Sequence, residues 1–316
     1  MKQCPTPQAI RAIHDQPFPE LVRQAMASHR QHWNPLEVQL CVLDALKTGD
    51  CSEDCAYCAQ SAHHTTTLKA DPLKDRDKVL EGARRALESG ATRYCMATSG
   101  RGIQEGPDFD RVLEIVQSVS DLGLEPCVSL GLIHEGQARR LKAAGCAIYN
   151  HNLDSSRLVY QRIVSTHTFD ERLETIRAVR EAGLQVCCGG ILGLGESLED
   201  RIHFLHELAS LDPIPDAIPF NILVPIPGTP LEGMPPLPPL EAIRVIATAR
   251  ILFPTSRIRL AAGRTSLSPE AQALAFLCGA NSIFSGEKLL TTPGSEADSD
   301  QVLLRNLGMH PEGGKS

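Results

Sequence analysis

Five times along the chain, an amphipathic helical pattern ends in a glycine and a short apolar run follows it. These glycines are Gly90, Gly123, Gly145, Gly183 and Gly279. Glycine directly after a helix is typical of a left-handed cap that turns the chain out of the helix. We therefore expect each apolar run to be a strand that opens a new unit of strand and helix.

Three further apolar runs complete a regular series. The predicted strands lie near residues 38–47, 92–98, 124–131, 146–151, 184–192, 217–224, 256–262 and 281–285. Helical stretches with apolar residues at three- and four-residue spacing separate most of them, and strands that alternate with helices form parallel β-α-β units. The pattern favours a closed (βα)8 barrel of the TIM type, an α/β fold, with an open doubly wound sheet as the alternative.

The barrel is expected to occupy residues 36–306. Residues 1–35 precede the first predicted strand, and we expect them to form an N-terminal helical extension. Residues 307–316 are expected to be a mobile tail. The whole chain has 316 residues, which suits a single barrel with short additions, because such barrels use roughly 200 to 400 residues.

Composition excludes several classes of protein. Hydrophobic residues make up 42% and charged residues 22% of the chain, as in ordinary globular proteins and unlike disordered ones. A net charge of −7 argues against a broad nucleic-acid surface. Apolar runs are too short to span a membrane, and the N-terminus lacks the hydrophobic segment of an export signal, so we expect a cytoplasmic protein.

The cysteines indicate the chemistry. There are eleven of them, an odd number in a chain without an export signal, which favours metal or redox chemistry over disulfides. Cys51, Cys55 and Cys58 form a C-x3-C-x2-C motif directly after the first predicted strand. In a barrel this loop lies at the face that carries active sites. Thiolates are soft ligands that suit iron–sulfur clusters and zinc.

Two kinds of metal site fit this triplet. Three thiolates hold three irons of a 4Fe–4S cube and leave the fourth iron open to another ligand. A structural zinc site would take its fourth ligand from His63 or His64. Closed zinc sites usually pair two C-x2-C arms, and a second arm is missing from the sequence. We favour the iron–sulfur cluster.

A second polar set is predicted inside the barrel. Strand side chains alternate between two faces, and the apolar neighbours indicate which face points to the helices. On this alternation the inward residues are Arg93, Cys95, Cys127, Ser129, Cys187, Asn221, Arg257 and Arg259, whereas Cys188 points outward. The three inward cysteines are either small apolar fillers or ligands of a second iron–sulfur cluster, with a buried arginine offsetting the thiolate charge. We favour the second interpretation.

Other polar segments also follow predicted strands. Residues 150–154, NHNLD, end the fourth strand and either bind ribose hydroxyls or a cyclic urea, or cap a loop. Thr291 and Thr292 follow the eighth strand, where they either hold a carboxylate or cap a helix. The glycine-rich segment 189–196 is expected to let a flat adenine approach the backbone.

The cysteine triplet on a βα barrel resembles the radical S-adenosylmethionine superfamily. Further segments resemble the biotin synthase family within it. They are, in order, KTGDCSEDCAYCAQS, TRYCM, EPCVSLG, YNHNLD, GLQVCCGGILGLGE, FNILVPIPGTPL, RIRLAAGR and GANSIFSGEKLLTTP. The resemblance extends over residues 25–306, and the order of the segments makes it specific.

The resemblance implies a role for individual residues. The ligands of a 4Fe–4S cluster would be Cys51, Cys55 and Cys58, and those of a 2Fe–2S cluster would be Cys95, Cys127, Cys187 and Arg259. S-adenosylmethionine would be bound by Tyr57, Asn152, Asp154 and Ile191. Dethiobiotin would be bound by Asn150, Asn152, Asn221, Thr291 and Thr292. The residues expected to act in catalysis itself are Cys127, Cys187 and Arg259.

The reaction implied is the radical insertion of one sulfur between two unactivated carbons of dethiobiotin. S-adenosylmethionine and the 4Fe–4S cluster would yield a 5′-deoxyadenosyl radical, and the 2Fe–2S cluster would donate the sulfur. The implied partners are a reduced flavodoxin or ferredoxin, the iron–sulfur assembly machinery and a second copy of the chain in a homodimer. The alternatives are a related radical enzyme, of the hydrogenase-maturation or methylornithine type, and a noncatalytic scaffold stabilised by zinc.

Overall fold

A computed structural model describes residues 4–288, 293–295 and 297–313. Its strands are β1 (Glu37–Lys47), β2 (Arg93–Thr98), β3 (Glu125–Ser129), β4 (Ile148–Asn150), β5 (Gln185–Cys187), β6 (Gly190–Leu192), β7 (Ala217–Ile222), β8 (Arg257–Leu260), β9 (Ser282–Phe284), β10 (Gly286–Lys288), β11 (Pro293–Ser295) and β12 (His310–Pro311). Its α-helices are α1 (Pro7–His14), α2 (Phe18–His32), α3 (Arg76–Glu88), α4 (Pro107–Asp121), α5 (Glu135–Ala143), α6 (Arg157–Ile163), α7 (Phe169–Glu181), α8 (Leu198–Ala209), α9 (Pro239–Leu252), α10 (Pro269–Leu277) and α11 (Ala297–Asn306).

Parallel strands close into a barrel. The order around it is β1-β2-β3-β4-β5-β7-β8-β9, and β9 pairs back with β1 through Gln39 and Ser282. Helices follow the strands and cover their outer faces, so the main apolar core lies between strands and helices. The predicted (βα)8 barrel is confirmed. The open doubly wound sheet is excluded, because such a sheet leaves its two edge strands unpaired.

Glycine caps join helices to strands, as the hydrophobic pattern predicted. Gly90, Gly123, Gly145, Gly183 and Gly279 have φ values between 76° and 95°. This left-handed region strains residues that carry a Cβ, and glycine enters it without that cost. The helices α5, α7 and α8 begin with capping boxes. In each, the N-cap side chain accepts a hydrogen bond from the backbone N–H of the third helical residue, and the side chain of that residue accepts one from the N-cap backbone N–H.

The fifth predicted strand, 184–192, is two short strands. β5 ends at Cys187 and pairs with β4, whereas β6 begins at Gly190 and pairs with β7. A Cβ on Gly189 would collide with the carbonyl oxygen of Pro219, and one on Gly190 would lie 2.5 Å from the carbonyl oxygen of Asp154. Gly189 and Gly190 thus permit close packing of backbone against backbone. The prediction of one continuous strand over 184–192 was wrong, because β5 and β6 pair with different neighbours.

The N-terminal segment forms the expected helical extension. α1 and α2 pack against α8 and α9. The indole Nε1 of Trp33 donates to the carbonyl of Pro254 at 2.9 Å, and Arg244 Nη1 donates to the carbonyl of His14 at 2.6 Å. These contacts fasten the extension to the side of the barrel away from the strand ends that carry the site. None of the described helices is both long and apolar enough to cross a membrane.

The C-terminal segment adds a strand to the barrel wall. β12 pairs in parallel with the start of β1, where His310 N donates to Leu36 O at 2.9 Å and Glu312 N donates to Val38 O at 3.0 Å. Glu312 also forms an ion pair with Arg257. Residues 307–316 were expected to be a mobile tail, but His310 and Pro311 are paired with β1. The pairing is possible because β1 begins before the residues that pair with β2 and β9, so its first backbone groups are free to bind β12.

Candidate active site

The carboxyl ends of the barrel strands surround a cavity of about 340 Å³. Three thiols of the loop after β1, those of Cys51, Cys55 and Cys58, line it, and so do Cys95 and Cys127 on neighbouring strands. The C-terminal face of a barrel collects side chains from separate strands. The fold thus brings thiols that are far apart in sequence to one space.

The loop that carries the cysteine triplet folds back on itself. Cys51 N donates to Gln60 O at 2.9 Å, and Ala62 N donates to Cys51 O at 2.7 Å. Cys58 N donates to Cys55 O at 2.9 Å, which forms a tight turn within the motif. These backbone bonds hold the three thiols on the same side of the loop, toward the cavity.

The two histidines considered as zinc ligands are engaged elsewhere. His63 Nε2 lies 3.0 Å from Ser52 O, and His64 Nε2 lies 3.0 Å from Cys55 O. Among residues 4–288, 293–295 and 297–313, no three His, Cys, Asp or Glu side chains are grouped around the position of a single metal ion. Both histidines that the zinc alternative requires for its fourth ligand are therefore engaged with backbone carbonyls.

Burial keeps two thiols of the triplet protonated in the metal-free chain. Desolvation raises the pKa of the Cys58 thiol to about 11 and raises the pKa of Cys55 further above its ordinary value. Only the thiolate binds a metal, so metal binding has to displace both protons. The donor set fits iron, whose affinity for thiolate sulfur is sufficient to do this.

Acidic residues inside the motif fasten it to the segment after α6. Asp54 Oδ1 accepts from Ser165 N at 2.9 Å and from Thr166 N at 3.2 Å. Burial raises the pKa of Asp54, but these donors outweigh it and hold the pKa below its ordinary value. The Thr166 hydroxyl also donates to Glu53 Oε2 at 2.6 Å. The loop is thus positioned before any ligand binds.

A buried ion pair lies beside the triplet. Asp154 Oδ2 accepts from Tyr57 Oη at 2.8 Å and contacts Arg172 Nη2 at 3.0 Å. The side chains of Asp154 and Arg172 are 5% and 12% exposed. Arg172 also donates to the carbonyl of Asn152 at 2.8 Å and to the hydroxyl of Tyr160 at 2.5 Å. Arg172 thereby fixes the segment that carries two predicted cofactor ligands.

Arg172 was not predicted from the sequence. It lies on α7 within DERLETIRAVRE, where charged residues are frequent and most face solvent. The periodicity of that helix does place residue 172 next to the apolar face, so the pattern contained a weak signal. A helical pattern does not show which cation contacts a buried carboxylate in a distant loop, here Asp154 after β4.

The predicted asparagines lie at the carboxyl ends of their strands. Asn150 Nδ2 donates to Asn152 Oδ1 at 3.2 Å, and Asn152 Oδ1 also accepts from Gly189 N at 3.1 Å. Asn221 Nδ2 donates to Gly190 O at 3.0 Å. All three asparagines line the cavity. Their amides hold the backbone between β5 and β6 and still face the space where a ligand would lie.

The other predicted ligands fall into two groups. Ile191 and Asp154 line the same cavity, and Ile191 N donates to Asp154 O at 2.8 Å. Thr291 and Thr292 lie outside the described residues. The glycines of segment 189–196 were expected to admit an adenine ring, but Gly189 and Gly190 are needed first for the strand contacts given above.

A second set of thiols lies inside the barrel. Cys95, Cys127 and Cys187 are at most 4% exposed and belong to one inner cluster, whereas Cys188 lies in the outer core against the helices. Cys95 and Cys127 stand opposite each other on β2 and β3. Arg259 on β8 points its guanidinium into this cluster, with Nη1 3.8 Å from Cys187 Sγ.

Cys41 belongs to the same inner cluster and was not among the predicted site residues. It is fully buried on β1, and its Sγ lies 3.1 Å from Arg259 Nη2. Strand alternation contained the signal, because the outward apolar residues Val38 and Leu40 leave Cys41 on the inner face.

Comparisons with known proteins agree with this site. A model of the radical SAM superfamily matches residues 46–208, and a model of the Biotin and Thiamin Synthesis associated domain matches residues 219–310. Among solved structures, methylornithine synthase superposes with a TM-score of 0.80 at 20% identity, over 98% of this chain and 95% of that one. The FeFe-hydrogenase maturase HydG from Carboxydothermus hydrogenoformans gives 0.76 at 20% identity, over 92% and 71%. At such identities the likeness concerns the fold alone.

Relatives in sequence are much more similar. The biotin synthase of Gloeobacter violaceus is 53% identical over 303 residues, which are 96% of this chain and 95% of that protein. The biotin synthase of Sorangium cellulosum is 52% identical over 306 residues, 97% of this chain and 88% of that protein. Such identity over nearly the full length of both proteins leads to one conclusion: the chain belongs to the biotin synthase family of the radical S-adenosylmethionine superfamily.

Proposed function

We propose that this chain inserts a sulfur atom into dethiobiotin and so forms biotin. The observation that carries the proposal is that the three thiols on the loop after β1 face the same cavity as two thiols of the inner wall, those of Cys95 and Cys127. Side chains cannot remove hydrogen from a saturated carbon, so a reaction at such a carbon requires cofactors. The family uses S-adenosylmethionine, a 4Fe–4S cluster and a 2Fe–2S cluster.

The upper thiols suit the first two cofactors. Cys51, Cys55 and Cys58 would hold the 4Fe–4S cluster and leave one iron open. When bound, the cluster and S-adenosylmethionine supply a 5′-deoxyadenosyl radical, and the 2Fe–2S cluster supplies the sulfur atom. Within the described residues, Tyr57 and Arg172 both contact Oδ2 of Asp154, which leaves Oδ1 for a ribose hydroxyl.

Neighbouring side chains would complete the binding of S-adenosylmethionine. Tyr57 stands next to Cys58 and presents a ring to the adenine. Asn152 has its Oδ1 held by Gly189 N, which directs the amide toward the sugar. Ile191 is half-buried at the cavity wall and offers an apolar contact. These residues orient the cofactor and exclude water, which protects a radical from side reactions.

Dethiobiotin would lie between the two thiol sets. The amides of Asn150, Asn152 and Asn221 face the cavity and suit the donors and acceptors of a ureido ring. Thr291 and Thr292 would hold the carboxylate. These contacts would keep the two reacting carbons near the inner cluster, because a bound ring has little freedom to turn.

The inner thiols suit the sulfur-donating centre. Cys95, Cys127, Cys187 and Arg259 would surround the 2Fe–2S cluster, since they lie together in a space that excludes water. The guanidinium offsets the negative charge that thiolates bring to a buried site. Buried thiolates without such a cation would be strongly disfavoured.

The reaction also requires partners. Reductive cleavage of a sulfonium consumes an electron that the side chains in the site do not supply, so a reduced flavodoxin or ferredoxin would deliver it. Iron–sulfur assembly machinery would load both clusters. The proposal further places the chain in the cytoplasm as a homodimer, in line with the resemblance of its sequence.

Metal content tests the first part of the proposal. Protein reconstituted without oxygen is expected to hold about six irons per chain, four in one cluster and two in the other. About four irons would support a related radical enzyme with one cluster instead. Zinc alone would contradict the proposal and support a noncatalytic scaffold.

Turnover tests the second part. Reconstituted protein is incubated without oxygen with dethiobiotin, S-adenosylmethionine and reductant, and biotin and 5′-deoxyadenosine are measured. We expect Cys127→Ala to retain formation of deoxyadenosine and to lose biotin, because only the sulfur donor is damaged. The control Cys278→Ala changes a buried cysteine of the outer core and should retain both products. Biotin formation by Cys127→Ala at the normal rate would contradict the role of the inner thiols.

A further inference from the structure

Phe284 lies where the cavity meets the inner thiols. Its backbone pairs with that of Cys41 in the parallel register of β9 and β1, and its side chain packs against the group formed by Cys41, Cys95, Cys127 and Cys187. The same side chain is half-buried and lines the cavity. The ring therefore stands at the boundary between the space assigned to dethiobiotin and the space assigned to the 2Fe–2S centre.

The ring of Phe284 also covers a buried cation. Its centroid lies 4.9 Å from Cζ of Arg259, whose Nη1 approaches Cys187 Sγ. An aromatic face attracts a cation most strongly where water is excluded, and Arg259 is 1% exposed. Displacement of the ring would uncover this guanidinium and admit water to the inner thiols.

The carbonyl of Phe284 lies past the end of strand pairing on one side. The last residues that pair between β8 and β9 are Leu260 and Ile283. Two residues beyond Phe284, Gly286 takes a φ of 123°, a conformation that residues with a Cβ rarely adopt. The chain thus turns away from the barrel wall directly after Phe284, and the carbonyl needs a donor other than β8.

Arg264 supplies that donor from a buried ion pair. Its Nε and Nη2 donate to the carbonyl of Phe284 at 3.3 and 2.9 Å, and Nη2 also contacts both carboxylate oxygens of Asp300 on α11 at 2.6 Å. Nη1 donates to Oε1 of Gln272 on α10 at 2.9 Å. The side chains of Arg264 and Asp300 are 4% and 3% exposed. These partners fix the planar guanidinium in one orientation, and that orientation holds the carbonyl of Phe284.

We propose that Arg264 and Asp300 are positioning residues, which hold the ring of Phe284 against Arg259 and thereby keep water from the 2Fe–2S centre. A buried ion pair contributes less to stability than its Coulomb energy suggests, because both charges lose their hydration. Its effect here is on geometry, at the end of a strand that turns away from the sheet. The inference rests on the 2Fe–2S centre of the proposed function and adds two residues that do not line the cavity.

Alkylation of Cys41 in the full reconstituted chain measures the access that Phe284 controls. Cys41 is fully buried, pairs with Phe284 in register, and is not among the proposed ligands. The chain is held with iodoacetamide without oxygen, and the alkylated peptides are quantified by mass spectrometry over time. Cys146 is the internal reference, because it is buried in the outer core just before β4 and reacts only when the fold opens more widely.

Arg264→Met and Phe284→Leu should each accelerate the alkylation of Cys41, relative to that of Cys146, by at least about tenfold, because loss of a buried contact shifts local opening by that factor or more. The double variant should be no faster than the faster single variant, since Arg264 acts through Phe284. Asp300→Asn removes only a charge and should act in the same direction. It tests the same contact if Arg264→Met does not fold.

Asp216→Asn is the control. It breaks a partly buried ion pair with Arg180, which joins α7 to the segment before β7, and should leave the relative rate at Cys41 unchanged. A relative rate in Arg264→Met and Asp300→Asn equal to that of the control would overturn the inference. A double variant in which the two accelerations multiply would also overturn it, because Arg264 would then act independently of Phe284.

Iron loss gives a second measurement, and it separates this inference from the proposed function. A chelator is added without oxygen, and the visible absorption of the 2Fe–2S centre should decay faster in Arg264→Met and Phe284→Leu than in the unchanged chain. A reconstituted chain without a 2Fe–2S spectrum would overturn the proposed function, and alkylation of Cys41 in the metal-free chain would still decide whether Arg264 positions Phe284. A normal spectrum, with alkylation and iron loss that do not respond to Arg264→Met, would overturn this inference alone.

Discussion

Substitution of Asp154 by Asn removes a negative charge from a buried pair. Arg172 keeps its full charge at 12% exposure, and Asp154 is its only carboxylate partner among the residues that the structure describes. Breaking a buried pair costs about 3–5 kcal/mol. We expect the lower end, about 3 kcal/mol, because Asn still accepts the hydrogen bond of Tyr57. An energy of that size raises the equilibrium constant for unfolding roughly a hundredfold.

The assay is urea unfolding of the reduced, metal-free chain without oxygen, followed by the fluorescence of Trp33, the one tryptophan of the sequence. The matched control is Asp170→Asn, because Asp170 pairs with Arg157 at 2.8 Å but is 67% exposed. Exposed pairs contribute at most about 1 kcal/mol. Arg172→Met should cost as much as Asp154→Asn, and the double variant less than the sum. Equal costs for Asp154→Asn and Asp170→Asn would refute the reasoning.

Two further predictions concern packing and pH. Gly189→Ala should lower the free energy of unfolding by about 1–3 kcal/mol, because the added Cβ would collide with Pro219 O. The control Gly233→Ala should leave the free energy of unfolding unchanged, because no atom lies within 4 Å of the added Cβ. Chemical denaturation measures both variants, and equal effects would contradict the close packing at Gly189. Burial, assisted by the nearby Arg250, lowers the pKa of His29 from 6.5 to about 4. Between these pH values the unfolded chain binds a proton that the folded chain does not. The free energy of unfolding should therefore rise as pH rises from about 4 to 6.5, by up to about 1.4 kcal/mol per pH unit. His29→Gln should remove the contribution of His29 to the slope of the free energy of unfolding against pH. An unchanged slope in that variant would contradict the prediction.

The barrel could be predicted because its signals are local. Each glycine cap and each apolar run reports on a few neighbouring residues, and the strand series follows from them. The break between Cys187 and Gly190 could not be predicted, since it depends on the carbonyl oxygen of Pro219, which lies on a different strand. The pairing of His310 with the start of β1 is equally non-local.

The site could be predicted in part for the same reason. The cysteine triplet is a local motif, and strand alternation indicated that Cys95, Cys127 and Cys187 point inward. Arg172 could not be identified, because its buried partner Asp154 lies in the loop after β4, a different part of the barrel from α7. The contribution of a helix to the site depends on how it packs, and its own sequence does not specify that.

The origin of the sulfur in the product tests the central claim most directly. The inner cluster is assembled with ³⁴S-sulfide, excess sulfide is removed, and a single turnover is run without oxygen with dethiobiotin and S-adenosylmethionine. Mass spectrometry of the product should show one ³⁴S atom per biotin, with loss of the 2Fe–2S absorption in step with product. Biotin that carries unlabelled sulfur, formed while the labelled cluster stays intact, would contradict the account.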